Sequence, residues 1–254
     1  MTGVNEAVAV VTGAGSGIGR AVALRLSENG LRVVLTARTE QDLVATAAAC
    51  PAPTLVVPAD ITAPDAPDAV FAAAERAWGP VGVLVTAAGG GFAARVDRTG
   101  DDDWQRMLDV HLTAPFRCVR RAVPGMRALG RGRVVVVASS AAKVGEPYVA
   151  AYTAAKHGVL CLVRSAAAEL AGSGITVNAV CPGFVDTPMT ATTVDGIVAA
   201  TGRSAEDARR ELARRQPIGR LVTPAEVADA VWLCVANGAM SGQGIVVDGG
   251  AVQS

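Results

Sequence analysis

Short apolar runs alternate with amphipathic, alanine-rich stretches along most of the chain. The apolar runs are rich in valine and continuous, which is typical of strands buried on both faces of a parallel sheet. Their strict alternation with helices indicates βαβ units, so the pattern predicts a doubly wound α/β domain. The predicted strands span residues 8–12, 32–37, 54–58, 81–86, 133–138, 175–181 and 244–247. The predicted helices span residues 18–29, 40–49, 66–78, 102–127, 151–171 and 223–236.

Start and stop signals refine two of these helices. Thr223, Pro224 and Glu226 form a capping-box sequence at the start of the last helix. Two prolines, Pro115 and Pro124, interrupt the helix at 102–127, so we expect that helix to bend near the first or to end near the second.

The segment 184–217 departs from the alternating rhythm. It connects the sixth strand to the last helix, is long for a connection, and carries a charged helical stretch at 204–215. Long ordered insertions beyond strand ends are usually lids or binding loops. We therefore expect a single domain with a substrate loop at about 184–217.

Composition limits the kinds of partner that the chain can have. The 254 residues are 51% hydrophobic, 18% charged and 4% aromatic, and 23 basic residues balance 23 acidic ones. This composition supports one large domain with a well-buried core. The even charge balance gives no attraction to nucleic acid or to a membrane surface, and the scarcity of aromatic residues disfavours base stacking. We expect neither nucleic acid nor membrane as a partner.

Cysteine and histidine usage limits the compartment and the metal chemistry. The five cysteines are scattered and form no CxxC pair, which is typical of free thiols in a reducing compartment. Residues 1–15 lack the basic and apolar regions of a signal peptide, and no apolar run is long enough to span a bilayer. Two histidines without a cysteine cluster do not build a metal centre. We expect a cytoplasmic protein with no metal site.

A glycine-rich loop follows the first strand and reads TGAGSGIG at residues 12–19. Glycines permit a tight turn and close approach to a ligand, and the free N–H groups of the following helix favour a pyrophosphate. A plain tight turn is the alternative, but the position between a first strand and a helix favours dinucleotide binding. The residues assigned to the cofactor here are Gly13, Gly15, Ser16, Gly17, Ile18 and Gly19.

The ends of the second and third strands indicate which dinucleotide binds. An acidic residue after the second strand would bind the adenosine ribose of NAD(H), but this chain has Arg38, whose planar guanidinium suits the 2′-phosphate of NADP(H). We therefore favour NADP(H) over NAD(H), with a plain surface arginine as the alternative. Asp60, followed by Ile61, is a candidate acceptor for the adenine amino group. The alternative for Asp60 is to cap the next helix, a role that Thr62 serves equally well.

Candidate catalytic residues lie between positions 139 and 156. Tyr152 and Lys156 are four residues apart and share one face of the predicted helix. A cation beside a phenol lowers the phenol's pKa, which makes Tyr152 a candidate proton donor near neutral pH. Ser139 follows a run of valines and is a candidate hydrogen-bond partner for the oxygen that Tyr152 protonates. The alternative is a half-buried tyrosine with a solvated lysine.

Together these motifs resemble the short-chain dehydrogenase/reductase family. The matching residues are TGAGSGIG at 12–19, Asp60, AAGG at 87–90, Ser139, the Tyr152–Lys156 pair, NAVCPG at 178–183 and GQGIVVDGG at 242–250. The resemblance covers essentially the whole chain and implies a seven-stranded Rossmann-type sheet in one dinucleotide-binding oxidoreductase domain, 1–254. It implies hydride transfer at a nicotinamide, with Tyr152 as general acid, Ser139 holding the substrate oxygen and Lys156 holding the nicotinamide ribose. The family spacing also selects Ser139 over Ser140.

The resemblance adds cofactor residues and exposes two departures. TAAG at 86–89 replaces the family's NNAG, so we expect a looser hydrogen-bond network behind the cofactor. His111 stands where the family usually has an asparagine that supports a water in a proton relay, which makes it a fourth catalytic candidate. It would hold that water through its carbonyl or shuttle a proton itself, with a packed structural histidine as the alternative. The added cofactor residues are Ala88, Gly89, Pro182, Gly183, Val185 and Thr187.

Within the family, residues 138–145 and 156–189 are most similar to β-ketoacyl thioester reductases, including aromatic polyketide ketoreductases. This implies a small-molecule carbonyl or alcohol substrate, thioester-bound in that subgroup. Arginines in 184–217 are candidates for holding a phosphopantetheine or an acidic carrier protein, with a solvated, charge-balanced helix as the alternative. Two other functions stay open: an NAD(P)-dependent dehydrogenase of a cyclic, steroid or sugar alcohol, and a non-catalytic dinucleotide-binding sensor. Family analogy implies a homotetramer built through the helices at 102–127 and 151–171.

Overall fold

The structure, a computed structural model, describes residues 6–253, so residues 1–5 and 254 of the expected domain lie outside the described residues. The strands are β1 (Val8–Thr12), β2 (Arg32–Thr36), β3 (Thr54–Val56), β4 (Val81–Thr86), β5 (Gly132–Val137), β6 (Ile175–Pro182) and β7 (Gly244–Val247). The α-helices are α1 (Gly17–Glu28), α2 (Glu40–Ala49), α3 (Ala66–Trp78), α4 (Asp101–Leu108), α5 (Ala114–Ala128), α6 (Ala150–Glu169), α7 (Pro188–Thr201), α8 (Ala205–Arg214) and α9 (Pro224–Ala236).

All seven strands are parallel and lie in the order β3-β2-β1-β4-β5-β6-β7. The chain runs outward from β1 to β3, crosses back to β4 beside β1, and then runs outward to β7. The strand order therefore reverses between β1 and β4, where open sheets of this kind form a ligand-binding crevice at their carboxyl ends. The topology confirms the expected doubly wound, seven-stranded Rossmann-type sheet.

The strands read as continuous valine runs because helices cover both faces of the sheet. On β1, Val8 and Val10 belong to the core formed with α3, α5 and α6, whereas Ala9 and Val11 belong to the core formed with α1 and α9. Burying one valine or leucine side chain stabilises a fold by roughly 1.5–3 kcal/mol. The two apolar layers therefore hold the strands in place, and with them the residues at the carboxyl ends of the strands.

The structure differs from the expected helices in two places. A π-helical turn, Asp109–Thr113, divides the helix expected at 102–127, and Pro115 follows it in the first turn of α5, where a missing N–H is harmless. Pro124 lies inside α5 and does not end it. The segment 184–217 also holds a second helix, α7, that the sequence pattern does not predict. Other element ends agree with the predicted ones to within about two residues, the usual uncertainty of helix ends.

The predicted capping box is present at the start of α9. The Glu226 N–H donates to the Thr223 hydroxyl at 3.3 Å, and the Thr223 N–H donates to the Glu226 carboxylate at 2.8 Å. Hydrogen bonds from Arg220 and from Thr223 lower the pKa of Glu226 to about 2. Since α9 packs against α1, this fixed start supports the helix that carries the glycine-rich loop.

Residues 6–253 contain no helix that is long and apolar enough to cross a membrane. The same residues contain no group of three or more histidine, cysteine or acidic side chains arranged to hold a metal ion. All five cysteines are free thiols, and Cys118, Cys181 and Cys234 are buried.

Candidate active site

The predicted site residues meet at the carboxyl edge of the sheet. Strands β1, β4, β5 and β6 all end there, and Thr12 of β1 pairs with Thr86 of β4 on either side of the crevice. The loops and helices that follow these four strands carry the candidate catalytic residues and most of the candidate cofactor residues, and the others follow β2 and β3. The topology therefore gathers into one place residues that are far apart in the sequence.

Close approaches that a side chain would prevent give the glycine-rich loop its shape. Gly13 adopts φ +68°, and a Cβ atom there would lie 2.8 Å from the carbonyl oxygen of Ala87. Gly17 adopts φ +52° and lies beside Thr187, whose Cγ2 atom would be 3.1 Å from a Cβ at Gly17. Gly13 lets the loop pack against the backbone after β4, and Gly17 lets it pack against Thr187; the loop and Thr187 are together called the cradle below.

The loop leads directly into α1, with Ser16 as the N-cap residue. The first turn of α1 holds no acidic side chain among its described residues, so the positive end of the helix dipole is not neutralised. Ile18 packs into the adjoining core, Gly15 approaches Asp42 of α2, and the loop backbone leaves no room for a side chain at Gly19. This arrangement suits a pyrophosphate at a helix N-terminus.

Arg38 and Asp60 are neighbours beyond the ends of β2 and β3. The Asp60 Oδ1 atom accepts hydrogen bonds from the N–H (3.0 Å) and the hydroxyl (2.7 Å) of Thr62. These bonds, and to a smaller extent the charge of Arg38, lower the pKa of Asp60. Neither Asp60 nor Thr62 caps a helix, since α3 begins further along the chain. Arg38 and Asp60 are exposed, whereas Ile61, the residue after Asp60, is buried.

One hydroxyl group ties the loop after β4 to β1. Thr12 Oγ1 accepts hydrogen bonds from the N–H groups of Ala87 and Ala88, both at 3.1 Å. Thr12 thus supplies an acceptor for two backbone N–H groups of this loop, whereas the loosening expected from the two missing amides at residues 86–89 stays a prediction. The buried Thr86 hydroxyl has no partner among the described residues. Ala87 and Ala88 are thus held in place at this side of the crevice.

Ser139 lies just beyond β5 and points its hydroxyl toward Tyr152. Its Oγ atom caps the short 3₁₀ turn Ser140–Ala142 by accepting a hydrogen bond from the Ala141 N–H at 3.1 Å. The same hydroxyl is in hydrogen-bonding reach of the Tyr152 phenol. Ser140 is buried inside the turn. The geometry therefore agrees with the choice of Ser139 over Ser140.

Lys156 is buried against the end of β5, so the alternative of a solvated lysine is wrong. Its Nζ atom donates to the Val137 carbonyl at 2.9 Å and lies 5.5 Å from the centroid of the Tyr152 ring. Burial lowers the pKa of Lys156 to about 8, which leaves the ammonium predominant at neutral pH. Lys156 therefore brings one positive charge into an otherwise apolar region.

The pKa of Tyr152 is raised overall, so the lowering expected from its spacing to Lys156 does not set its direction. Tyr152 is partly buried, and the loss of water around its phenol raises the pKa; the Ser139 hydroxyl opposes that rise, and the carboxylate of Glu146 adds to it. The Lys156 ammonium is directed at a backbone carbonyl rather than at the phenol oxygen. Tyr152 is therefore protonated at neutral pH, which is the state that a general acid requires.

His111 lies in the π-helical turn, and only 2% of its surface is exposed. Its Nε2 atom is 2.8 Å from the Gly90 carbonyl oxygen, and its ring meets the Tyr152 ring edge-on with the centroids 4.9 Å apart. Burial, and to a smaller extent the charge of Lys156, lowers the pKa of His111 to about 3. A histidine that stays neutral near neutral pH does not shuttle protons by titrating, so the structure does not support that form of the expected relay. The other form, a water held through the His111 carbonyl, stays a prediction.

The segment after β6 forms the wall opposite the glycine-rich loop. A Cβ atom at Gly183 would lie 2.8 Å from the Cβ atom of Asp248, so the backbone passes close to β7. The carbonyl of the buried Val185 accepts a hydrogen bond from the Thr190 hydroxyl at 2.5 Å. Thr187 caps α7 by accepting from the Thr190 N–H at 3.4 Å. The predicted residues on this wall are Pro182, Gly183, Val185 and Thr187.

Two buried polar residues that the sequence does not single out support this wall. Gln216 donates to the Phe184 carbonyl at 3.1 Å, and its Oε1 atom lies beside Gly183 without a partner among the described residues. The Asp248 carboxylate accepts hydrogen bonds from the N–H groups of residues 250–252. The Asp-Gly-Gly sequence was a readable turn signal for Asp248, whereas nothing local distinguishes Gln216.

The segment 184–217, whose role as a lid stays a prediction and which is called the lid below, folds as α7 and α8 around a small apolar cluster of its own. Most of the side chains in its ion pairs are about half exposed. The pairs are Arg209–Asp186 at 2.7 Å, Arg210–Asp207 at 2.7 Å and Arg203–Glu211 at 3.7 Å. These pairs favour the charge-balanced helix over the basic docking surface as the interpretation of the lid arginines.

Several known proteins are similar to this chain in sequence and in fold. The family model for short chain dehydrogenases matches residues 7–198. The cis-4-hydroxycyclohexanecarboxylate dehydrogenase of Sinomonas cyclohexanicum is 39% identical over 96% of each chain. The short-chain reductase protein NovJ of Streptomyces niveus is 37% identical over 96% of this chain and 94% of its own. Among solved structures, a variant of actinorhodin polyketide ketoreductase with NADPH has a TM-score of 0.91 at 37% identity over 99% of each chain.

Proposed function

Because the chain belongs to the short-chain dehydrogenase family, we propose that it is an NADP(H)-dependent carbonyl reductase with Tyr152 as its general acid. The observation that carries the proposal is the Tyr152 phenol within hydrogen-bonding reach of the Ser139 hydroxyl, at the edge of the crevice that the glycine-rich loop borders. The substrate that we favour is a 3-oxoacyl thioester or a polyketide ketone, because a polyketide ketoreductase shares this fold over the full chain.

The residues at the crevice fit a dinucleotide. Gly13 and Gly17 let the loop pack closely against Ala87 and Thr187, and the first turn of α1 carries no acidic side chain among the described residues, which suits a pyrophosphate. Arg38 is exposed at the end of β2, where its guanidinium suits a 2′-phosphate, and NADPH is the cofactor in the actinorhodin ketoreductase structure. These observations favour NADP(H) over NAD(H). When bound, NADPH supplies the hydride that reduces the carbonyl carbon.

The side chains around the reacting oxygen divide the remaining work. The Ser139 hydroxyl donates a hydrogen bond to the carbonyl oxygen and holds it next to the phenol. Tyr152 gives its proton to that oxygen as negative charge develops on it. Lys156 is charged at neutral pH, and its Nζ atom lies 5.5 Å from the centroid of the Tyr152 ring. Its charge therefore stabilises the phenolate that remains after the proton transfer.

NADPH oxidation by the purified chain tests the proposal. The substrates would be 3-oxoacyl thioesters, cyclic ketones and quinones, and Tyr152→Phe would serve as the inactive control. Reduction of a thioester substrate by the wild type, with loss of that activity in the variant, is the expected result. Equal rates in the two proteins would rule out Tyr152 as the acid.

A second candidate is oxidation of a cyclic secondary alcohol. It is favoured by the 39% identity to a cis-4-hydroxycyclohexanecarboxylate dehydrogenase. Preference for NAD and an alkaline optimum for activity would support this function over carbonyl reduction. A non-catalytic dinucleotide sensor, in contrast, would bind the cofactor tightly and turn over no member of the carbonyl panel.

We also infer a cytoplasmic homotetramer built through the outer faces of the helices at 102–127 and 151–171. Trp104 of α4 and Phe116 of α5 support this, since they are 41% and 43% exposed and a second copy would cover them. Five free thiols fit a reducing compartment. Light scattering would test the tetramer, and a Phe116→Arg variant that stays tetrameric would argue against this interface.

A further inference from the structure

The lid leaves the domain and returns to it at the same place, beside the wall that follows β6. The N–H of Val222 donates to the Phe184 carbonyl at 2.9 Å, and the N–H of Asp186 donates to the Val222 carbonyl at 2.8 Å. These two bonds form a short parallel bridge between the chain that enters the lid and the chain that leaves it. The two stems of the lid, residues 184–186 and residues 220–222, are together called the neck below.

Gln216 lies next to the neck, and only 1% of its surface is exposed. Its Nε2 atom donates to the Phe184 carbonyl on the first stem at 3.1 Å and to the Arg220 carbonyl on the second stem at 2.8 Å. A carbonyl oxygen only accepts, so both contacts require the nitrogen of the amide. One buried side chain therefore links the two stems.

The oxygen of the same amide faces the residue just before the neck. The Oε1 atom of Gln216 is buried without a partner among the described residues, and it lies so close to Gly183 that any Cβ there would collide with it. A buried acceptor without a donor costs free energy, and an apolar side chain of the same length would avoid that cost. The amide is thus explained by its two donated hydrogen bonds rather than by packing alone.

A dinucleotide in the crevice would place one half on each side of the glycine-rich loop. Arg38 and Asp60, the residues assigned to the adenosine half, follow β2 and β3 on one side of β1. Tyr152 and the wall formed by residues 182–187 follow β5 and β6 on the other side. A pyrophosphate at the start of α1 would therefore leave the nicotinamide half next to the backbone that Gln216 contacts.

We propose that Gln216 is a positioning residue for the nicotinamide half of NADP(H): by linking the two stems of the lid, it holds the backbone of residues 183–185 in place behind that half. This role rests on the proposed function for the identity of the ligand, but not for the link itself. Because Gln216 is on the far side of β1 from Arg38 and Asp60, its effect is confined to one end of the cofactor.

Three variants isolate the donated hydrogen bonds. Gln216→Met keeps the length of the side chain without a donor. Gln216→Asn keeps an amide that is one methylene too short to reach both carbonyls. Gln243→Met is the matched control, because the Gln243 amide also donates to a backbone carbonyl, that of Ser241 at 3.1 Å, but is exposed before the amino end of β7.

Binding of the whole cofactor and of its adenosine half provides the first test. We expect the Kd for NADPH, measured by its fluorescence, to rise about tenfold in both Gln216 variants, as for the loss of about one hydrogen bond. The Kd for 2′,5′-ADP, which carries the adenosine half alone, should stay within about twofold, since distant sites act independently. Neither Kd should change in Gln243→Met. An equal rise for both ligands, as from a general loss of stability, or an unchanged Kd for NADPH would overturn the proposal.

Hydrogen exchange of the full-length chain provides a test that needs no cofactor. The amides of Asp186 and Val222 close the neck, so we expect them to exchange at least about tenfold faster in the two Gln216 variants than in the wild type and Gln243→Met. Unchanged exchange at both amides would overturn the link. If the wild type binds neither NADPH nor 2′,5′-ADP, the proposed function fails, while this exchange pattern still decides whether Gln216 holds the neck.

Discussion

The reaction centre and the lid use charge in opposite ways. At the centre, Lys156 and His111 are buried, and burial lowers their pKa values to about 8 and about 3. On the lid, Arg209 pairs with Asp186, and their side chains are 46% and 54% exposed. Burial thus shifts the pKa values of the ionisable groups at the reaction centre, whereas the charge of Arg209 on the lid is balanced by an oppositely charged partner.

This contrast predicts where substitutions matter. Each unit of pKa change corresponds to about 1.4 kcal/mol between protonation states, so a buried group carries a large electrostatic effect. An exposed ion pair contributes about 0–1 kcal/mol and is screened by salt. Substitutions at the centre should therefore change the chemistry, and substitutions on the lid should change little.

The largest expected effect is that of Tyr152→Phe. Turnover should fall at least about 10²- to 10⁴-fold, because the general acid is lost, while NADPH binding measured by fluorescence persists. Tyr148→Phe is the matched control, since Tyr148 is the only other tyrosine and is 64% exposed. Comparable losses in both variants would show that the phenol of Tyr152 has no special role.

Next in size is the effect of Arg38→Asp on cofactor choice. Removing the charge-assisted hydrogen bonds to a 2′-phosphate should lower the ratio of kcat/KM for NADPH to that for NADH about 10- to 100-fold. Arg76→Asp, an equally charged change at an exposed site on α3, should leave the ratio unchanged. An unaltered ratio in Arg38→Asp would remove this residue from the cofactor site.

The buried imidazole should make the fold sensitive to acid. Its pKa is about 3 in the folded chain and near 6.5 when unfolded, so its contribution is complete above about pH 6.5 and is lost as the pH falls toward 3. Between pH 7 and pH 5 the wild type should lose about 2 kcal/mol of unfolding free energy more than His111→Gln. Urea titrations at the two pH values measure this difference. Parallel losses in both proteins would mean that His111 is already protonated or accessible.

The smallest effect is expected on the lid. Arg209→Ala should change the free energy of unfolding by less than about 1 kcal/mol and the KM for a free thioester by less than about threefold.

The carrier-protein alternative is tested by comparing, in the Arg209→Ala variant, a free thioester with the same acyl group on an acidic carrier protein. A rise in KM of tenfold or more for the carrier-bound substrate alone would show that the lid arginines receive the carrier.

The same contrast explains what the sequence could predict. The strands, the capping box at Thr223 and the family motifs are local patterns, and the fold and family they predict are confirmed. The position of His111 was visible as a departure from the family, but its bond to Gly90 depends on a π-helical turn that no local pattern predicts. The raised pKa of Tyr152 could not be predicted either, because it results from loss of water in the folded chain, whereas the sequence shows only the spacing to Lys156.

Helix α7 was missed for a different reason. Its sequence, residues 188–201, is rich in threonine and alanine and contains a glycine, so it shows no clear apolar face. Thr187 followed by Pro188 was the available signal, since this pair is typical of an N-cap and a first helical position. The family resemblance assigns Thr187 to the cofactor instead, so this signal does not lead to the prediction of a helix. The roles of the individual site residues stay predictions until the variants are measured.

The contact between Gly17 and Thr187 has a consequence for how the chain folds. The two walls of the cradle, Gly17 and Thr187, are 170 positions apart in the sequence, so the cradle is complete only after β6 has joined the sheet. Contacts between such distant segments form late and slowly. A dinucleotide that needs both walls binds the native state alone and therefore stabilises the whole domain by mass action, including strands that it never touches.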